Sequence, residues 1–161
     1  MNESWMLYSD IALRLTLAVA GGSIIGINRY LHHKAAGMRT HALTALGAAL
    51  ATVLIIDAAG SDAQAFSRVL QGLVTGIGFL GAGVILHNAD DRVQGLTTAA
   101  SIWLSSIFGI AMGRGAYAAA FIAIALALFI LVVGKFVEHA IVDRLQAKHK
   151  KNIKSDSPPR L

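Results

Sequence analysis

Five apolar runs, each about as long as a bilayer is thick, constrain this chain more than any other feature. A helix needs ~20 apolar residues to cross a ~30 Å hydrocarbon layer, with a working range of ~17–25. The runs fall at 11–27, 42–59, 69–86, 96–112 and 117–134 of the 161 residues. They lack period-two alternation, and membrane barrels use shorter alternating segments, so strands are not expected. The expected fold class is an all-α membrane protein: five transmembrane helices over 1–134, then a basic tail over 135–161. Composition agrees, because only 14% of residues are charged, against ~25% in a typical soluble domain. A soluble enzyme, a disordered chain and a coiled coil are thereby excluded.

The formal charge of +5 raises the question of nucleic acid. A nucleic-acid binder would set its basic residues on a solvated surface beside a soluble core. Here they lie between apolar runs and in the tail, so the lipid bilayer is the expected partner and nucleic acid is not. Lys and Arg favour cytoplasmic loops. Of the 14, one side holds Arg29, Lys34, Arg39, Arg92, Lys135, Arg144, Lys148, Lys150, Lys151, Lys154 and Arg160, and the other holds Arg14, Arg68 and Arg114. Five crossings then place the N-terminus outside and the C-terminus in the cytoplasm. The opening MNESWMLYSD has no basic residue ahead of the first run, unlike a secretory signal, so the N-terminus is expected to be retained. In the tail, Val137, Ile141 and Leu145 share a helical stripe ahead of Lys148, Lys150, Lys151 and Lys154. Such a basic amphipathic segment can lie on anionic lipid or simply hold the C-terminus inside. The closing SDSPPRL is expected to be disordered.

Glycines suggest how the helices pack, because small residues let backbones approach closely in lipid. On the third run, Gly72, Gly76 and Gly83 fall within about 40° of one another, with Gly78 and Gly81 on the other side. That helix is therefore expected at the centre of the bundle, contacted on two faces. Gly22 and Gly26 repeat the spacing on the first run, and Gly109 and Gly113 on the fourth. The fifth run is apolar all round and suits the lipid-facing periphery.

The chain has no Cys, which removes disulfides, CxxC metal sites and thiol catalysis. A literal GxGxxG at Gly76, Gly78 and Gly81 lies inside a span with no preceding strand, so it is not a dinucleotide site. HExxH, P-loop and GxSxG motifs do not occur. The six histidines form no metal-ligand spacing. No enzyme activity, cofactor or metal site is expected.

Two groups of ionisable and polar residues remain. Asp57 sits about 24 Å along the second helix from His41, near the depth of Arg14 and Arg68. It is read as an outer-boundary residue reaching water, as an ion pair with Arg14 or Arg68, or as a transported-ion site, since an intramembrane carboxylate usually has a partner or a role. At the cytoplasmic face, Asn28, Arg29, Arg39, Thr40, His41, His87, Asp90, Asp91, Thr97 and Thr98 are expected to gather. They are either polar loop ends or a binding surface for a partner or an ion. Thr97 and Thr98 are also candidate caps of the fourth helix.

Several stretches together resemble the MgtC/SapB membrane-protein family. They are GGSIIGINR (Gly21–Arg29), AAGMRTHALTALGAAL (Ala35–Leu50), SRVLQG (Ser67–Gly72), GIGFLGAGVIL (Gly76–Leu86), GLTTAASIW (Gly95–Trp103) and GIAMGRG (Gly109–Gly115). The resemblance covers about residues 10–134, in the family's order. It implies a multi-pass protein of the bacterial inner membrane, associated with growth at low magnesium. It further implies a regulator of other membrane proteins, with a proton-translocating ATP synthase one proposed target. The older view of the family is a magnesium transporter. The chain departs from the pattern at Asn28, where an acid is usual, and at Thr97 and Leu104, where members involved in host survival tend to have Asn and Cys. A short basic tail stands where many members carry a soluble C-terminal domain.

The leading expectation is thus a non-enzymatic regulator that docks through helix faces on another integral membrane protein or on itself. The rival is a small transporter or channel for magnesium or protons, whose pore an oligomer could build.

Overall fold

The computed structural model of the chain describes residues 2–59, 62–87 and 93–155, with side chains at 4–58, 62–85 and 93–136. Five helices form: α1 (Asn2–Leu31), α2 (Met38–Ala59), α3 (Ala63–Val84), α4 (Leu96–Gly113) and α5 (Tyr117–Ser155). All five are long and apolar enough to cross a membrane. Their ends differ from the apolar runs where local hydrogen bonds extend or stop them. α1 starts nine residues before the first run, where Ser9 Oγ donates back to Met6 O at 2.9 Å and Arg14 pairs with Asp10 one turn earlier at 2.7 Å. It stops where His33 takes a left-handed φ of 52° and Lys34 N donates to Arg29 O. That crossed pattern is a Schellman ending, with histidine where glycine is usual. α3 begins at its N-cap Asp62, whose carboxylate accepts from the amides of Gln64 and Ala65. α4 ends in a second Schellman turn, with Gly115 at φ 77° and Ala116 N donating to Ala111 O.

A short antiparallel pair, β1 (Leu86–His87) with β2 (Val93–Gln94), connects α3 to α4. No strand was expected there. Leu86 therefore leaves the helix that the third run predicts. The turn into α4 needs Gly95, at φ 93°, because a Cβ there would overlap Val84 O. Thr97 and Thr98 do not cap α4: its N-cap is Gly95, with no side-chain bond.

The chain divides into two compact units, 1–125 and 126–161. In the first, α1, α2 and α4 form the core, with Ala18, Ala45, Ala49, Phe108, Met112 and Ala120 buried together. α4 is the central helix: 56% of its span is buried within the chain, against 6% for α3. The expectation of a central third helix is therefore corrected. The reason is that glycine permits close approach without compelling it. A Cβ at Gly72, Gly76, Gly78 or Gly83 would meet nothing within 4 Å, and one at Gly81 would make ordinary contact with Ala99 Cβ at 3.5 Å. The close approaches lie elsewhere. A Cβ at Gly109 would overlap Ala45 O, and one at Gly113 would stand 2.5 Å from Ala49 O, so α4 lies backbone to backbone on α2. Between α1 and α2, a Cβ at Gly22 would stand 2.6 Å from His41 O, and one at Gly26 2.5 Å from Met38 Cα. The Phe108 ring fills the space that a side chain at Gly21 would need.

α4 can occupy the centre because its buried serines are small and partly self-satisfied. Ser101 Oγ donates to Thr98 O at 2.8 Å, and Ser105 Oγ to Ser101 O at 3.0 Å. α3 packs onto this helix from one side, burying Ile77 against Ile102 and Ala36. α5 continues as helix to Ser155. The side chains of the tail stripe from Val137 to Lys154 lie outside the described residues, as does the chain beyond Ser155.

Candidate functional site

The polar residues that the core encloses come from one end of α1, α2 and α4. Arg29 lies two residues before the end of α1 and is only 5% exposed. Its Nη2 donates to Thr98 Oγ1 on α4 at 3.1 Å. His41, in the first turn of α2, is fully buried. Its Nδ1 donates to Gly37 O at 2.8 Å, since a carbonyl oxygen can only accept, and its Nε2 lies 3.0 Å from Ser101 Oγ. Ser101 has one hydroxyl proton to give, to Thr98 O at 2.8 Å or to His41 Nε2, so a chain of polar contacts with that proton shared at Ser101 runs Gly37–His41–Ser101–Thr98 and meets Arg29 at Thr98.

Of the ten residues expected to gather here, the structure brings together Arg29, His41 and Thr98. Asn28 is half-buried beside them in sequence, with its Oδ1 unpartnered, while its backbone carbonyl accepts from His32 Nδ1 at 2.7 Å. Arg39, Thr40 and Thr97 stay exposed. The side chain of His87 lies outside the described residues, as do Asp90 and Asp91. Arg29 Nε has no hydrogen-bond partner, and the guanidinium meets no carboxylate among the described residues. The described part of the cluster is therefore cationic and rich in hydroxyls. Among the described residues no three His, Asp or Glu side chains come together to hold a metal. Beside this cluster an open cavity of about 480 Å³ lies between α1 and α2, lined by Ile27, Tyr30, Gly37, Met38, Arg39 and Thr40.

The second expected group does not form. Arg14 pairs with Asp10 on its own helix at 2.7 Å and donates from Nη1 to Gly113 O, at the end of α4, at 2.9 Å. Asp57 and Arg68 are both exposed and make no ion pair among the described residues. The postulated Asp57 pair with Arg14 or Arg68 is thus corrected: a carboxylate one helical turn away reaches Arg14 first, at no cost in chain geometry. Arg114 stands over the ring of Phe66, 4.7 Å from its centroid, a cation–π contact.

Ser101, Ser105 and Gly37 were not singled out as candidates, although the first two carry much of the buried polar network. Their signal was legible in SIWLSS, where Ser101 and Ser105 fall four apart on an otherwise apolar helix. Asp10 was likewise missed, although it stands four residues before Arg14.

The MgtC family pattern matches residues 15–140. The protein SrpB of Synechococcus elongatus is 41% identical over 129 residues, covering 71% of each chain. The protein SapB of Bacillus subtilis is 36% identical over 158 residues, covering 92% of this chain and 67% of its own. In Escherichia coli, YhiD, provisionally named a magnesium transporter, is 40% identical over 118 residues, which is 68% of this chain and 53% of that protein. The chain thus spans about half the length of YhiD. No solved structure matches it. With the family pattern extending from the middle of α1 into α5, through all five helices, the chain belongs to the MgtC family.

Proposed function

We propose that this chain is a non-enzymatic regulator of other proteins in the bacterial inner membrane, acting when magnesium is scarce or the cell is otherwise stressed. The observation that supports this reading is the character of the enclosed polar core. It holds a buried guanidinium, an imidazole and serine and threonine hydroxyls, and no described carboxylate. Mg²⁺ dehydrates reluctantly and takes oxygen ligands, usually carboxylates with retained waters. A cation passing between α1, α2 and α4 would meet the buried Arg29, and like charge in a low-dielectric interior repels strongly. A protein that works through its lipid-facing helix surfaces needs no such path. Its partner would be an integral membrane protein, the ATP synthase being the candidate that family resemblance suggests.

The test is crosslinking in native membranes followed by affinity isolation, at low and at high magnesium. A reproducible membrane partner, enriched at one magnesium level, is the expected result. Recovery of none at either level would overturn the reading. The transporter reading draws on the name of YhiD. It predicts cation flux in liposomes that Asp57→Ala abolishes, and that result would reverse the ranking.

A further inference from the structure

The outward face of α3 is chemically out of place for a helix that meets lipid. At 100° per residue, Arg68, Gln71, Gly72, Thr75, Gly76, Phe79 and Gly83 fall within one sector of about 140°. All seven are exposed. The opposite sector holds Leu70, Val74, Ile77, Gly81 and Val84, all buried or half-buried against the rest of the chain. Gln71 and Thr75 lie about 12 and 18 Å along a helix of about 33 Å, one and two turns beyond Arg68. Thr75 Oγ1 satisfies itself on Gln71 O at 2.8 Å. The carboxamide of Gln71 has no partner among the described residues. Phe79, one turn on, is 81% exposed.

We propose that this face of α3 is the contact between two copies of this chain, related by a two-fold axis along the membrane normal. The chemistry of the face is complementary to itself. A carboxamide both donates and accepts, so Gln71 can pair with Gln71 of a second copy. Gly72, Gly76 and Gly83 have empty space above them, which lets two such helices approach closely. Phe79 then packs against its own counterpart. The two Arg68 side chains come near the axis, and Asp57, unpaired and at the same end of the bundle, is the carboxylate that offsets them across copies. A copy of the chain supplies every one of these groups, and an isologous contact needs only one self-complementary patch. The pairing stands apart from the regulatory reading, because a transporter could use the same face.

The chain has no Cys, so single-cysteine variants report cleanly. Thr75→Cys and Phe79→Cys are oxidised in native membranes beside Val74→Cys, on the opposite face, and Ala125→Cys on α5. The expected product is a dimer of twice 16.9 kDa. It should exceed that of Val74→Cys and Ala125→Cys about tenfold, and Gln71→Leu in the Thr75→Cys background should lower it about tenfold. Arg68→Asp should lower it as well, and adding Asp57→Arg should restore it. No dimer from either α3 position, equal yields from Ala125→Cys, or a product whose mass is that of a different protein joined to this chain would overturn the proposal. Loss at Arg68→Asp without restoration would overturn the cross-copy ion pair.

Discussion

Substituting alanine at Gly113 probes the centre of the bundle most directly. The added methyl would stand 2.5 Å from Ala49 O, 2.8 Å from Thr52 Cβ and 3.1 Å from Ala49 Cα. Carbon atoms in contact settle at ~3.5–4.0 Å, so α2 and α4 must part by roughly 1 Å. All three neighbours are backbone atoms or the first atom of a side chain, so no rotamer change relieves the clash. Overpacking of this kind costs ~1–3 kcal/mol. The reference is Gly47→Ala on α2, where a Cβ meets nothing within 4 Å. Both variants gain the same helix-propensity benefit of ~0.5–1 kcal/mol, which cancels between them. The difference in unfolding free energy should therefore be ~1–3 kcal/mol, or about 5- to 150-fold in the folded-to-unfolded ratio. Purified protein titrated from mild detergent into SDS, followed by circular dichroism, measures it. Gly78→Ala on α3 also opens on empty space and should track Gly47→Ala. If Gly78→Ala instead falls as far as Gly113→Ala, α3 rather than α4 occupies the centre, and the packing argument is refuted.

Gly95→Ala should destabilise by more than ~1–2 kcal/mol in the same titration, because φ is 93° and the methyl would overlap Val84 O; a neutral result would mean that this turn is not as described. Ser101→Ala leaves the buried Nε2 of His41 without its partner and should cost ~1–3 kcal/mol. Ser105→Ala removes only a bond back to Ser101 O and should cost less, and equal losses would argue against the His41 link. Arg14→Leu should cost more than Asp10→Asn, since Arg14 also holds Gly113 O, whereas the partly exposed pair itself contributes little. A larger loss at Asp10→Asn would shift the weight from the helix-end contact to the ion pair.

The number of helices was legible in the apolar runs, though not where α1 begins or where α5 ends. A bilayer crossing demands a length and a hydropathy, and both are local properties of the chain. The α4–α5 turn was equally local, because Gly115 supplies the left-handed φ that its Schellman ending uses. Which helix stands in the middle was not local. Gly76 and Gly113 look alike in sequence, yet one faces open space and the other touches Ala49 O, and only the docking of α2 on α4 separates them. The ion pair shows the same division. Charge and depth made Asp57, Arg14 and Arg68 equivalent partners, but Asp10 lay one turn from Arg14 and took it. Arg29, His41 and Thr98 were recognisable as polar residues at one end of the bundle. That Ser101 joins them, while Arg39, Thr40 and Thr97 turn outward, depended on the rotation of each helix about its own axis. Sequence periodicity defines a helix's faces; the mutual fit of several helices decides which face is buried, because packing energy belongs to pairs of surfaces and not to either surface alone.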